Sequence, residues 1–164
     1  MERQILSILV SNHFGVLTRV TNLFSRRGFN IKELTVGETK DPMLSRITIL
    51  TEGDERTVDQ IKKQLAKLED VKVVAVLPQE GVVSRELLLI KIKYERNTFD
   101  KLKSKIESFG GKILSAMEDT AIVEYTGDTE SIDCFIAGIE DILELCRTGI
   151  TALQTGKTTL CEFN

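Results

Sequence analysis

The sequence predicts an α+β protein made of two tandem ferredoxin-like units, each in the order β-α-β-β-α-β. Apolar residues alternate between short strand-like runs and helical spacing, and the same order of elements starts again after a Pro-, Gly- and Ser-containing stretch at residues 78–84. Two glycine helix stops, Gly28 and Gly110, allow the halves to be laid on each other. Composition is compatible: 164 residues with 41% hydrophobic content can bury a core. A net charge of −3 and few aromatics argue against a nucleic-acid partner, which needs cations for phosphate and rings for stacking. No apolar run approaches the roughly 20 residues that span a bilayer, so no membrane partner is expected. Three dispersed cysteines and an opening "MERQILS" without signal-peptide features make the cytosol the expected compartment.

Residues 3–11 form an apolar run that reads as a buried strand. Val16, Leu17, Val20, Leu23 and Phe24 then follow on one helical face. That helix should stop at Gly28, with Arg26 and Arg27 at the negative end of its dipole and Phe29 folding back on the last turn. "NIKELTVGET" and "LSRITILTE" read as two strands around the turn "KDPM". Asp54 caps a helix with Val58, Ile61, Leu65 and Leu68 on one stripe, and "VKVVAVL" is a fourth strand.

After the linker the order repeats. "RELLLIKIK" is a strand, and Phe99, Leu102, Ile106 and Phe109 make a helix stripe ending at Gly110. "KILSAME" and "TAIVEYT" form a hairpin, Asp128 caps a helix carrying Ile132, Phe135, Ile136 and Ile139, and "LELCRTG" is a weaker strand. With Gly28 on Gly110, Gly15 faces Asn97, Asn12 faces Tyr94, Asn30 faces Lys112 and Ile31 faces Ile113. The architecture repeats while the Asn, Gly, Asn set does not, which points to a binding site built in the first unit alone.

"ILSILVSNHFGVLTRVTNLFSRRGFNIKELTVG" followed by "DPMLSRITI" resembles the amino-terminal ACT domain of the small regulatory subunits of acetohydroxyacid synthase (acetolactate synthase). The pattern N-x-x-G-x-L-x-R-V, then F-S-x-R-G-[FY]-N-I, is far longer than a general ACT signature. The resemblance continues through "GDERTVDQIKKQLAKLEDV" and "SRELLLIKI", and is weakest in "QTGKTTLCEFN". It implies an ACT domain at residues 1–77 for effector binding and dimerisation, a linker at 78–84, and a second ferredoxin-like domain with a C-terminal tail at 85–164. It also implies a non-catalytic partner that activates a large thiamine-diphosphate enzyme of branched-chain amino-acid (valine, leucine, isoleucine) biosynthesis. ACT domains of such families pair edge to edge, here as a homodimer, and a feedback amino acid, usually valine, binds at the seam. Thiamine diphosphate, magnesium and FAD are expected on the catalytic subunit and no cofactor on this chain.

The opening stretch suits that role chemically. An amino acid brings a carboxylate, an ammonium and, for valine, a branched apolar tail. Amides around Gly15, Val16 and Leu17 start a helix and lack intrahelical acceptors, and Gly15 lets the backbone come close. Asn12 and Asn30 offer carbonyl oxygens to the amine and amide hydrogens to the carboxylate, with Leu17 and Ile31 flanking the tail. Neither asparagine has to ionise, because binding rather than proton transfer is the task.

Plainer readings exist for the same residues. Asn and Gly are ordinary turn formers. His13 reads as an exposed loop residue with no Asp or Cys partner nearby. Arg19 and Arg46 read as surface or interface ion-pairing residues, with Arg46 on a strand where it can face a partner. "TGKTTL" lacks the first glycine of a P-loop, since Thr151 stands there. "RGFN" echoes an RNA-recognition motif but lacks its further aromatics. One histidine and three scattered cysteines make no metal cluster. Cys134 reads as a small core residue beside Ile132 and Phe135, and Cys161 as an exposed tail residue. Two other functions share the pattern: a free-standing ACT-type amino-acid sensor, and a small acylphosphatase-like enzyme, which would need an Arg in the first loop that is absent here.

Overall fold

The computed structural model describes residues 2–160. β1 (Glu2–Ser11) leads into α1 (Val16–Arg27), β2 (Ile31–Glu38) and β3 (Leu44–Gly53) form a hairpin, and α2 (Glu55–Leu65) leads to β4 (Val71–Val76). All pairings in this sheet are antiparallel, in the order β2-β3-β1-β4, so β2 and β4 are its edges. Side chains alternate across a strand, and Leu6, Ile8 and Val10 of β1 share one face with Ile47 and Ile49 of β3. There they pack on Val16, Val20 and Phe24 of α1 and Ile61 and Leu65 of α2. Gly28 closes α1 in the left-handed region at φ 70°, and Phe29 returns its N–H to the Phe24 carbonyl at 3.0 Å. Asp54 accepts the Thr57 N–H as the N-cap of α2.

The second unit repeats the plan with β5 (Val82–Lys93), a short 3-10 turn at Arg96–Thr98, α3 (Phe99–Ser108), β6 (Lys112–Met117), β7 (Thr120–Gly127), α4 (Thr129–Gly138) and β8 (Ile142–Arg147). Its order is β6-β7-β5-β8, and Leu88, Ile90, Ile92, Ile106, Val123, Ile132 and Phe135 form its core. Asp128 accepts the Ser131 N–H as the N-cap of α4. Cys134, expected in the core, is exposed. It follows Ile132 by two positions, about 200° around a helix, and so points away from the Ile132 and Phe135 stripe. Phe109 is likewise 41% exposed and meets Phe135 only edge-on. Cys161 lies outside the described residues.

Two boundaries differ from the sequence reading. The expected linker loses residues 82–84 to β5. The described part of the C-terminal tail, residues 150–160, groups with the first unit rather than with the second domain, whose compact body is Ser84–Gly149. It carries a strand the apolar pattern did not announce, β9 (Thr151–Gln154). A sheet with both helices on one face leaves the other needing cover, and here that face bears Ser7, Leu9, Thr48 and Leu50, all at most 5% exposed. Thr35 Oγ1 donates to the Ile150 carbonyl, Ile150 N–H donates to the Glu33 carboxylate at 2.9 Å, and Arg46 Nη2 donates to the Ala152 carbonyl at 2.8 Å. Thr155 N–H closes the segment onto the Gly81 carbonyl at 2.7 Å. Arg46 therefore reaches a segment of its own chain.

Candidate functional site

The corner between β1 and α1 turns on one residue. Gly15 is the N-cap of α1 at φ 84° and ψ −8°, without a side-chain cap. A Cβ there would have room, the nearest atom being Arg19 Nη1 at 3.6 Å, so it is the left-handed backbone that calls for glycine. The first turn of α1 holds no acidic residue and the last holds Arg26 and Arg27, leaving the positive end of the dipole without a compensating anion of its own. Val16 N–H reaches the His13 carbonyl at 3.4 Å and Arg19 N–H the Gly15 carbonyl at 3.0 Å. Among the described residues, the Gly15 and Leu17 amides have no backbone acceptor and can receive an anion. Val16 is 3% exposed and anchors the turn in the core, while Leu17 is 41% exposed beside the open amides.

Asn12 sits at the head of this corner, its backbone N–H donating to the Met43 carbonyl at 2.7 Å. Its Nδ2 donates to Glu38 Oε1 at 3.1 Å and to the Pro42 carbonyl at 2.9 Å. Both partners are acceptors, so the nitrogen must face them, and what Asn12 offers a ligand is its carbonyl oxygen. Glu38 adds a carboxylate next to it. The apolar pattern of β2 gave no hint of either contact, because they depend on the hairpin bringing residues 38–43 back beside the first loop.

Asn30 and Ile31 lie elsewhere. Ile31 pairs with Thr51, which also faces Gln4 near the start of β1, whereas Ser11 faces Leu44 and Glu38 faces Ser45. Seven residues of strand at about 3.3 Å each put roughly 23 Å between the two ends. Asn30 is exposed and its backbone carbonyl accepts Thr51 Oγ1 at 2.8 Å. Within one chain, Asn12 and Gly15 occupy one end of the sheet and Asn30 and Ile31 the other.

His13 has the partner that its immediate sequence did not reveal. Its Nε2 lies 2.7 Å from Asp70 Oδ1, while Arg19 Nε and Nη2 hold Asp70 Oδ2 at 2.7 and 2.6 Å. Asp70 is far away in sequence and reaches the loop because β4 pairs beside β1. In the second unit the equivalent corner is built differently: the Tyr94 and Phe99 rings meet at a tilt with centroids 4.7 Å apart, a 3-10 turn replaces the glycine corner, and Thr98 caps α3 in the right-handed region. Among the described residues there is no group of three or more His, Cys, Asp or Glu placed to hold a metal, and no helix long and apolar enough to cross a membrane.

Residues 6–73 match the family described as the AHAS small subunit-like ACT domain, and residues 85–156 match the family described as the small subunit of acetolactate synthase. The chain is 44% identical over 157 residues to the acetolactate synthase isozyme 3 small subunit of Escherichia coli (strain K12), covering 94% of this chain and 96% of that one. It is 41% identical over 162 residues to the probable acetolactate synthase small subunit of Methanothermobacter thermautotrophicus, covering 97% and 96%. Among solved structures it is similar to the acetolactate synthase small subunit from Thermotoga maritima, with a TM-score of 0.90, 38% identity, and coverage of 96% of this chain and 100% of that one.

Proposed function

Because the chain belongs to the acetolactate synthase small-subunit family, we propose that it activates its catalytic partner and makes it sensitive to valine, through an effector site shared by two copies of this chain. The protein is a non-catalytic regulatory subunit, and its partner is the large catalytic subunit. In this reading thiamine diphosphate, magnesium and FAD belong to that partner.

The observation that carries the shared site is the separation of Asn12 and Gly15 from Asn30 and Ile31 along one sheet. β2 is an edge strand. Two identical edges related by a two-fold axis must pair antiparallel, which lays the start of one β2 beside the end of the other. Asn30 and Ile31 of a second copy then come alongside Glu38, Asn12 and Gly15 of the first, and the arrangement occurs twice per dimer. The ligand carboxylate docks on the Gly15 and Leu17 amides and takes an N–H from Asn30. The ammonium meets the Asn12 carbonyl and the Glu38 carboxylate, and the branched tail lies between Leu17 and Ile31. The contrasting corner of the second unit, where a 3-10 turn and the Tyr94 and Phe99 rings stand in place of the asparagine and glycine corner, supports placing the site in the first unit.

Reconstitution tests this. The purified chain alone should form no acetolactate from pyruvate. Added to its large subunit it should raise turnover, and valine should then lower it. Acetolactate formation without the large subunit, or a reconstituted activity indifferent to valine, leucine and isoleucine, would sink the reading.

A further inference from the structure

We propose that Asp70 is a positioning residue for the effector site, holding the β1–α1 corner in the shape that presents the Gly15 and Leu17 amides; this rests on the site assignment above. Asp70 stands just before β4 and grips the corner at three points. Its backbone carbonyl accepts Ser11 N–H at 2.8 Å, where β1 ends. Its carboxylate meets His13 Nε2 inside the loop at 2.7 Å and the Arg19 guanidinium on α1 at 2.6 and 2.7 Å. Asn12 through Leu17 lie between the outer two anchors.

Apart from the buried Val16 side chain and the Asn12 N–H on the Met43 carbonyl, the loop has little else to fix it from outside. Phe14 is fully exposed, Leu17 is 41% exposed and His13 is exposed. Asn12 ties one side down through Glu38 and Pro42, and His13 Nδ1 faces only the neighbouring Phe14 carbonyl at 3.2 Å. Arg19 ties the ion pair to the glycine corner through its backbone, whose N–H donates to the Gly15 carbonyl at 3.0 Å. Bonds between ionised partners are short and about twice as strong as neutral ones, and the Asp70 side chain is 15% exposed, where water competes with them less. Burial by itself would raise the Asp70 carboxyl, but the hydrogen bonds from Arg19 and His13 outweigh it and hold it below the ordinary carboxylate range. The anion is therefore paired on both oxygens, which keeps its charge from repelling a ligand carboxylate at the neighbouring amides.

The test is calorimetry with L-valine on the full-length chain, its Asp70→Asn and Arg19→Ala variants and the double variant, with assembly followed by light scattering. Asp70→Asn keeps the size of the side chain and one carbonyl acceptor, and Arg19 is an exposed side chain outside the core, so at least one variant should remain folded. Each single change should weaken valine binding about tenfold with assembly kept. The double variant should be no worse than about tenfold, because both changes break one linkage and their effects do not add. Amide exchange in the ligand-free chain should rise at residues 13–17 in Asp70→Asn and stay unchanged in the second unit. Parental affinity in folded Asp70→Asn, or fully additive losses in the double variant, would overturn the positioning role while leaving the site intact. A parent chain that binds no branched-chain amino acid would overturn both.

Discussion

In the proposed effector site, Gly15 and Asn30 are the positions where a single side chain should decide the outcome. Gly15→Asp puts a Cβ on a backbone at φ 84° and an anion beside the amides that should receive the ligand carboxylate, so valine binding should be lost in calorimetry while light scattering still reports an assembled chain. Asn30→Ala removes a donor to a charged group. At about 1.5–3 kcal/mol for such a bond, affinity should fall roughly ten- to a hundredfold. Lys112→Ala, at the matching place in the second unit, should bind as the parent does. The Asn, Gly, Asn set stands out in the sequence as a candidate because the repeat supplies its own control and the flanking pattern carries a family resemblance. Glu38 and Asp70 were not legible: each meets the corner through a strand pairing, and neither stands within twenty residues of Asn12 in the sequence. That is also why His13 was read as lacking a partner.

The regular elements followed from local chemistry. Asp54 and Asp128 cap α2 and α4 as their places before apolar stripes required, each accepting a backbone N–H three residues on. Hydrogen bonds from Thr57 and from Ser131 respectively hold both carboxyls below the ordinary range. A carboxyl whose folded pKa is lowered adds stability above its unfolded value and loses it as the pH falls through the folded value. Asp54→Asn and Asp128→Asn should therefore lower the thermal midpoint at neutral pH, and the gap to the parent should narrow as the pH drops below about 4, near the unfolded carboxylate value. A gap that widened in acid would contradict the capping role. β9 stayed hidden because its four residues, Thr151–Gln154, bury only Ala152 deeply. Hydrogen bonds from Thr35 to the Ile150 carbonyl, from Arg46 to Ala152 and from Ile150 to Glu33 help to hold the segment, and none of them leaves a period in the sequence.

For the whole molecule, the linker expected at residues 78–84 implies a first unit that stands alone, and the C-terminal segment argues otherwise. A chain ended at Val83 uncovers Leu9 and Leu50 on the open face; it should bind a hydrophobic dye and unfold at lower urea than a chain in which residues 84–149 are replaced by a flexible linker and 150–164 are kept. Equal midpoints for the two would show that the segment is dispensable. The proposed division of the effector site between two copies does not follow from residue types alone, since Asn12 and Asn30 look like one set until the register places them at opposite ends of the sheet. Mixing Gly15→Asp and Asn30→Ala chains tests that division most directly. If Gly15 of one copy works with Asn30 of the other, both defects in a mixed dimer fall in one site and the second site is wholly parental. An equal mixture, exchanged to equilibrium, should then recover about a quarter of the parent's tight valine sites by calorimetry, although neither variant binds tightly by itself. No recovery from a mixture shown to contain mixed dimers would place Gly15 and Asn30 of the same copy in one site and contradict the account.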